Sequence, residues 1–293
     1  MNILITGADG FIGSRMSEKL KKDGNYVIEH CFTDGDVSKK GGLNQYNDLG
    51  VEIVYHFAAK TFVPDSWNNV YDYFNVNIMG TVSVLEFCRE NHCPAVLMST
   101  YVYGEPEFLP ISEEHPVSAI TPYHETKLIL EHIGKFYSEK FSIPVVIFRP
   151  FNVYGMGQSE NFLLPKIMKQ LVDENISEIK VMDIRPKRDY VYIDDVIEAL
   201  LCALSVKEGC HVYNIGTGVS YSVEEVIKIC GEVLGIKKPY CATEEVRNTE
   251  ISDCKADISR LRKDFGYQVK YSLQEGIKSW YGEMQHREVE SKQ

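Results

Sequence analysis

The chain has 293 residues, of which 44% are hydrophobic and 25% charged. That length gives one large domain or two joined ones with a sizeable buried core, and the composition excludes a disordered, collagenous or low-complexity chain. A net charge of −11 argues against nucleic acid, where affinity comes from neutralised phosphates, and against a membrane surface, so neither is expected as a partner.

Asn2–Thr6 is a short apolar run, so the chain enters a strand at once, with no basic segment or apolar signal core before it. No stretch approaches the ~18 consecutive apolar residues of a membrane span, and a cytoplasmic location is expected. Phe11, Ile12, Met16 and Leu20 then follow helical spacing, closed by Lys21, Lys22 and Gly24. Tyr26–Cys31 reads as a second strand. Val51–Ala58 is a continuous apolar run, as expected of a strand buried on both faces. A helix is predicted over about Tyr71–Glu90 and a strand over Ala95–Ser99. Thr121-Pro122 opens the next helix, with Thr as N-cap and Pro in the first turn, and this helix ends before Pro144. Val145–Phe148 is a further strand. Alternation of this kind predicts an α/β fold built on a parallel sheet flanked by helices.

The second half is less regular. Ser222–Glu225 and Ser272–Glu275 are capping boxes that each open an apolar periodic run, and Gly235 and Pro239 stop the first. These features predict a smaller, mostly helical lobe with a loose polar tail after about His286. The eight cysteines, at 31, 88, 93, 202, 210, 230, 241 and 254, form no Cys-x-x-Cys pair. They are expected to be reduced core thiols, and no metal site is expected.

Two patterns carry chemistry. Gly7-Ala-Asp-Gly10-Phe-Ile-Gly13 lies between the first strand and the first helix. Gly7 permits a tight turn, Gly10 a close approach to a pyrophosphate and Gly13 packing of helix on sheet, with the helix N-terminus facing the phosphates. Tyr123-His-Glu-Thr-Lys127 lies in the helix after Thr121. Residues four apart share a helical face, so the phenol and the ammonium point the same way. A nearby cation favours a phenolate, which suits general acid–base work on an alcohol–carbonyl pair. On its own such a Tyr/Lys pair is more often a surface pair. Ser99-Thr100, at the C-terminal end of a predicted strand where parallel sheets bind ligands, raises the catalytic reading.

With His56-Phe-Ala-Ala59, Asn77–Thr81, Ser99–Gly104, Arg149–Gly155 and Arg188–Asp195, these motifs make nearly the whole chain resemble the extended short-chain dehydrogenase/reductases, the NAD-dependent nucleotide-sugar epimerases and dehydratases. The resemblance implies a Rossmann-like, doubly wound parallel sheet. It assigns residues 1–152 and about 188–215 to a dinucleotide-binding domain, and about 153–187 and 216–293 to a nucleotide-sugar-binding lobe. It makes Tyr123 the acid/base and gives Lys127 the nicotinamide ribose and the lowering of the Tyr123 pKa. Ser99 would bond the reacting sugar oxygen, with Thr100 as second candidate. Gly7, Gly10, Phe11, Ile12, Gly13, Asp36, Val37, Phe57, Ala58, Ala59, Asn77 and Pro150 would complete the cofactor site. Asn152, Asn161, Arg188 and Arg247 would hold the substrate, the two arginines clamping its diphosphate.

Two departures from the family pattern matter. The acid that normally receives the adenosine ribose at the end of the second strand is replaced by His30 or Cys31. NAD is the expected cofactor, with NADP left open. Thr100-Tyr101 stands where dehydratases carry Asp-Glu and decarboxylases keep a Glu, which disfavours both reactions. The expected activity is epimerisation of a nucleoside-diphosphate sugar at C4 through a transient 4-keto sugar. The alternatives are an NAD(P)H-dependent 4-keto-sugar reductase and, more remotely, a catalytically inactive cofactor-binding regulator. The resemblance also implies a homodimer, formed through the helices near 71–90 and 121–140.

Overall fold

A computed structural model describes residues 1–243 and 251–290. The first compact unit comprises Met1–Gly104, Glu113–Pro150 and Ile197–Asn214. It opens with β1 (Asn2–Thr6), α1 (Phe11–Lys22), β2 (Tyr26–His30) and β3 (Ile53–His56). Next comes a helix that runs Val70–Phe74, widens into a π turn at Asn75–Met79 and continues Gly80–Asn91, here α2. β4 (Ala95–Met98), α3 (Pro122–Phe141) and β5 (Val145–Pro150) follow.

Together with β9 (Cys210–Ile215), these strands form a six-stranded sheet in the order β2-β1-β3-β4-β5-β9. The neighbours β1–β2, β1–β3, β3–β4 and β4–β5 are all parallel. The chain leaves β1 toward β2 and returns to place β3 on its other side. This is the reversal beside which doubly wound sheets bind ligands. Every residue of β4 and of β5 is buried, which explains their unbroken apolar runs. Leu4, Val54, Leu97 and Val145 of the sheet pack with Val84 of α2 and Leu130 of α3 in one core. The Rossmann-like fold is therefore the one the sequence implies.

The predicted strand Val51–Ala58 is shorter, at Ile53–His56. The flanking amides still bond to β1, Glu52 N to Asn2 O at 2.8 Å and Phe57 N to Thr6 O at 3.0 Å. Cys31, expected in β2, instead caps a 3₁₀ turn over Phe32–Asp34.

The second unit comprises Glu105–Ser112, Phe151–Val196 and Ile215–Gln293. β6 (Asn152–Tyr154) and α4 (Leu163–Val172) are followed by β7 (Ile179–Val181), β8 (Lys187–Tyr192) and α5 (Ile193–Leu201), which runs back into the first unit before β9 (Cys210–Ile215). β10 (Ser220–Ser222), α6 (Val223–Leu234), β11 (Tyr240–Ala242), β12 (Asp253–Cys254), α7 (Ser259–Phe265) and α8 (Leu273–Glu290) complete it. β8 lies between β10 and β12 and also pairs with β6, and β7 pairs with β11. Residues 188–196 thus fall in the second unit, whereas about 188–215 were expected in the first. Both capping boxes form: Ser222 Oγ accepts from Glu225 N at 3.1 Å and Ser272 Oγ from Glu275 N at 3.3 Å. The tail expected to be loose after His286 continues α8 to Glu290. No helix among the described residues is long and apolar enough to cross a membrane.

Candidate active site

The turn after β1 is built as the glycines require. Gly7 has φ +69°, and its N–H donates to His30 O at 2.8 Å, tying the loop to the end of β2. A Cβ on Gly13 would lie 2.1 Å from Gly7 O, so no larger residue lets α1 start this close to the turn. Phe11 and Ile12 begin α1. Phe57, Ala58 and Ala59 leave β3 beside this loop: a Cβ on Gly7 would sit 2.6 Å from Ala58 N. Backbone so close on every side makes a cradle for a dinucleotide pyrophosphate. Asp36 is engaged locally, its Oδ1 accepting from Ser38 N at 2.9 Å and Ser38 Oγ at 2.7 Å. The Ser38 hydroxyl bond is the main cause that holds its carboxyl below the ordinary range. Val37 packs in the core. Pro150 closes β5.

Asn77 occupies the π turn of α2 and is buried. Its Oδ1 accepts from Lys60 N at 2.8 Å, and its Nδ2 donates to Lys60 O at 3.1 Å and Thr126 Oγ1 at 2.9 Å. It thus ties the chain after β3 to α3. Such single-turn widenings are frequent at functional sites.

Thr121 Oγ1 accepts from His124 N at 3.2 Å and starts α3 where Pro122 fits. Tyr123, Lys127 and Glu131 then share one face, 8%, 3% and 9% exposed. Lys127 Nζ donates to Met98 O at 2.7 Å, at the end of β4. Burial pushes its ammonium down to about 8, opposed by the charge of Glu131. Lys127 Nζ lies 5.8 Å from the centre of the Tyr123 ring. Burial raises the Tyr123 phenol above its ordinary range, and a hydrogen bond with Thr100 opposes the rise. The resemblance implies a lowered Tyr123 pKa; burial raises it instead.

Ser99 and Thr100 part company. Ser99 Oγ donates to Glu131 Oε1 at 2.5 Å, and Arg149 grips the same carboxylate through Nε at 2.9 Å and Nη2 at 2.6 Å. Arg149 Nη1 donates to Tyr103 OH at 3.0 Å, which donates to Asn214 Oδ1 at 2.5 Å. Thr100 is the hydroxyl joined to Tyr123. Sequence reasoning missed Glu131, although Tyr123, Lys127 and Glu131 repeat every four residues along one helix. It quoted Arg149 only as the start of a motif.

In the second unit, Asn152 Nδ2 donates to Asp189 O at 3.3 Å. Arg188 Nη1 donates to Lys187 O at 2.7 Å and Ile251 O at 2.6 Å. Asn161 is exposed, and its N–H donates to Ser159 Oγ at 3.4 Å. Arg247 lies outside the described residues. Asp189, also missed, is buried and accepts from Thr217 N, Gly218 N and Ala256 N at 2.8, 2.8 and 3.1 Å, fixing the loop after β9.

A model of the NAD dependent epimerase/dehydratase family matches residues 3–216. The chain belongs to this family. It is 32% identical, over 302 aligned positions, to a Methanocaldococcus jannaschii protein provisionally named a UDP-glucose 4-epimerase, covering 94% of this chain and 96% of the relative. The UDP-glucose 4-epimerase of Thermotoga maritima, solved with UDP-glucose, superposes with TM-score 0.90 at 26% identity, over 98% of this chain and 99% of its own. The UDP-glucuronic acid 4-epimerase of Bacillus cereus, solved with its sugar nucleotide and NAD, gives TM-score 0.85 at 29% identity, over 98% and 99%. The family member is an NAD-dependent nucleotide-sugar epimerase, and the reductase alternative is not favoured.

Proposed function

We propose that this epimerase inverts C4 of a UDP-sugar, with Tyr123 as acid/base and Thr100 as the hydroxyl that bonds the reacting oxygen. The observation that carries the assignment is buried Tyr123 with Lys127 Nζ 5.8 Å from the centre of its ring and bonded to Met98 O, two residues before Thr100, in the unit that also holds the glycine cradle. UDP is the nucleotide named for the relatives described above.

Gly7, Gly10, Phe11, Ile12, Gly13, Ala58, Ala59 and Asn77 hold the dinucleotide, with Phe57, Asp36, Val37 and Pro150 around it. Bound NAD supplies a reversible hydride acceptor. Tyr123 takes the proton of the C4 hydroxyl and returns it to the same oxygen once the keto sugar has turned and C4 has been reduced on its other face. Burial holds the phenol in its protonated form, and taking the C4 proton requires the phenolate, which a cation beside it favours. Thr100 steadies the oxygen in both halves, and Lys127, fixed by Met98 O, presents its charge to the ribose. Ser99 serves the buried ion pair behind them.

Arg188 and Arg247 clamp the diphosphate and Asn152 contacts it, which makes the second unit the substrate lobe and the first the dinucleotide domain. Exposed Met79 on α2 and exposed Phe136 and Phe141 on α3 support a homodimer paired through these helices. The enzyme would act in the cytoplasm.

The test is to incubate purified protein with UDP-glucose, UDP-galactose and the UDP-glucuronate pair, and to separate the products by chromatography. Interconversion without net change in the reduced-nicotinamide absorbance is expected, with NAD retained through purification. Stoichiometric NADPH oxidation on a 4-keto-6-deoxy nucleotide sugar, with no UDP-hexose interconverted, would overturn the reading.

A further inference from the structure

The strand-end position that carries the ribose-binding acid in most dinucleotide folds holds Cys31 in this chain, yet the fold supplies carboxylates by another route. After β2 the chain does not run straight on. Asp34 N donates to Cys31 O at 3.0 Å and Gly35 N to Phe32 O at 3.2 Å, closing a 3₁₀ turn. The turn folds Asp34 back, so that its Oδ2 accepts from Cys31 N at 2.8 Å. The carboxylate therefore sits on the amide that follows the last residue of β2. The same strand end is tied to the cradle, because His30 O accepts from Gly7 N at 2.8 Å. Asp9, inside the cradle, and Asp34 both act on the Cys31 thiol. Both aspartates are exposed. Beneath them the surface is closed: His30 is 2% exposed, and its Nδ1 lies 3.0 Å from Tyr46 OH.

A dinucleotide whose pyrophosphate lies on the cradle puts its adenosine ribose at the end of the second strand. A carboxylate there accepts from both ribose hydroxyls, whereas a 2′-phosphate meets like charge and must give up its hydration.

We propose that Asp34, brought back to the strand end by the 3₁₀ turn and flanked by Asp9, is the residue that selects NAD over NADP in this enzyme. Oδ2 keeps the turn closed on Cys31, and Oδ1 takes the ribose hydroxyl. The missing strand-end acid is thus replaced from the following turn rather than lost. Glu29 is not the substitute, because Ser17 Oγ and Lys21 Nζ both donate to its Oε1, at 2.5 and 2.7 Å.

The proposal rests on the glycine cradle being the dinucleotide site, and the experiment separates the two. Dissociation constants for NADH and NADPH are measured by nicotinamide fluorescence on the full chain, for wild type, Asp34→Asn, Asp9→Asn and the double variant. Asparagine can still accept from Cys31 N, so the turn survives, and unfolding curves check that it does. Wild type is expected to prefer NADH. Asp34→Asn should cut that preference about tenfold or more, and the double variant further. An NADH-to-NADPH ratio unchanged within about twofold in the double variant overturns the proposal and leaves the cradle assignment standing. A parallel loss of both affinities in Asp34→Asn also overturns it, since the residue would then only support the turn. If wild type binds neither cofactor, the cradle assignment fails and the proposal with it.

Discussion

Ser99 Oγ lies 2.5 Å from Glu131 Oε1, so the first hydroxyl after β4 belongs to a buried ion pair, while its neighbour Thr100 is the one bonded to Tyr123. Thr100→Ala should therefore lower kcat by about 10²-fold or more, the range of a lost group at the reacting oxygen. Ser99→Ala should keep kcat within about tenfold and cost stability instead, about 1–3 kcal/mol, because Glu131 loses a donor. Steady-state kinetics and denaturant unfolding of the two variants check this. Reversed effects would restore Ser99 as the reacting hydroxyl.

Tyr123→Phe removes one oxygen from a ring that still packs. Turnover should fall about 10²–10⁴-fold with cofactor affinity within about threefold of wild type. A variant with more than about half of wild-type activity takes Tyr123 out of the mechanism.

Buried Lys127 should leave a mark on the pH dependence of stability. Its ammonium is pushed down to about 8 in the folded protein, by burial above all. Between about pH 8 and its unfolded pKa of ~10.4, the unfolded chain holds the proton and the folded one does not, so this residue makes stability rise with pH across that window. Below about pH 8 both states hold the proton, so stability no longer varies with pH through this residue and the cost of the buried charge is fully present. Comparing wild type with Lys127→Met by urea unfolding at pH 8 and pH 10 should show the wild type gaining about 2 kcal/mol relative to the variant. A constant difference across the window would mean that Lys127 titrates normally.

The Glu131–Arg149 pair, 2.6 Å apart at its shorter contact and with side chains 10% and 7% exposed, cannot lose one member cheaply. Glu131→Ala should destabilise the fold by about 3–5 kcal/mol, because Arg149 is left charged and buried. Glu131→Ala/Arg149→Met should recover much of that loss. Unfolding midpoints of the single and double variants test it, and a double variant as unstable as the single one would show that packing, not charge, is at stake.

The sequence alone was enough for the alternation of strands and helices, the glycine turn and the Tyr123/Lys127 face. Each depends on local periodicity or on a residue type that one conformation demands. Gly13 is legible because a Cβ there would meet Gly7 O, and Thr121-Pro122 because one caps and the other starts a helix. Where side chains point was decided only by the tertiary structure. Ser99 and Thr100 are adjacent hydroxyls of equal promise in the sequence, and the packing of α3 against the end of β4 gives one to Glu131 and the other to Tyr123. Lys127 and Tyr123 share a face as their spacing requires, but burial, opposed by Glu131, sets the state of the ammonium, and the Met98 carbonyl, 29 residues away in sequence, fixes where it points. The extent of the second unit's small sheets was likewise hidden, because β8 is joined by short strands from before and after it whose pairing no local pattern announces. Asp34 shows the same limit. A strand-end acid can be read from the sequence, whereas one returned to that position by a turn is visible only once the backbone has folded.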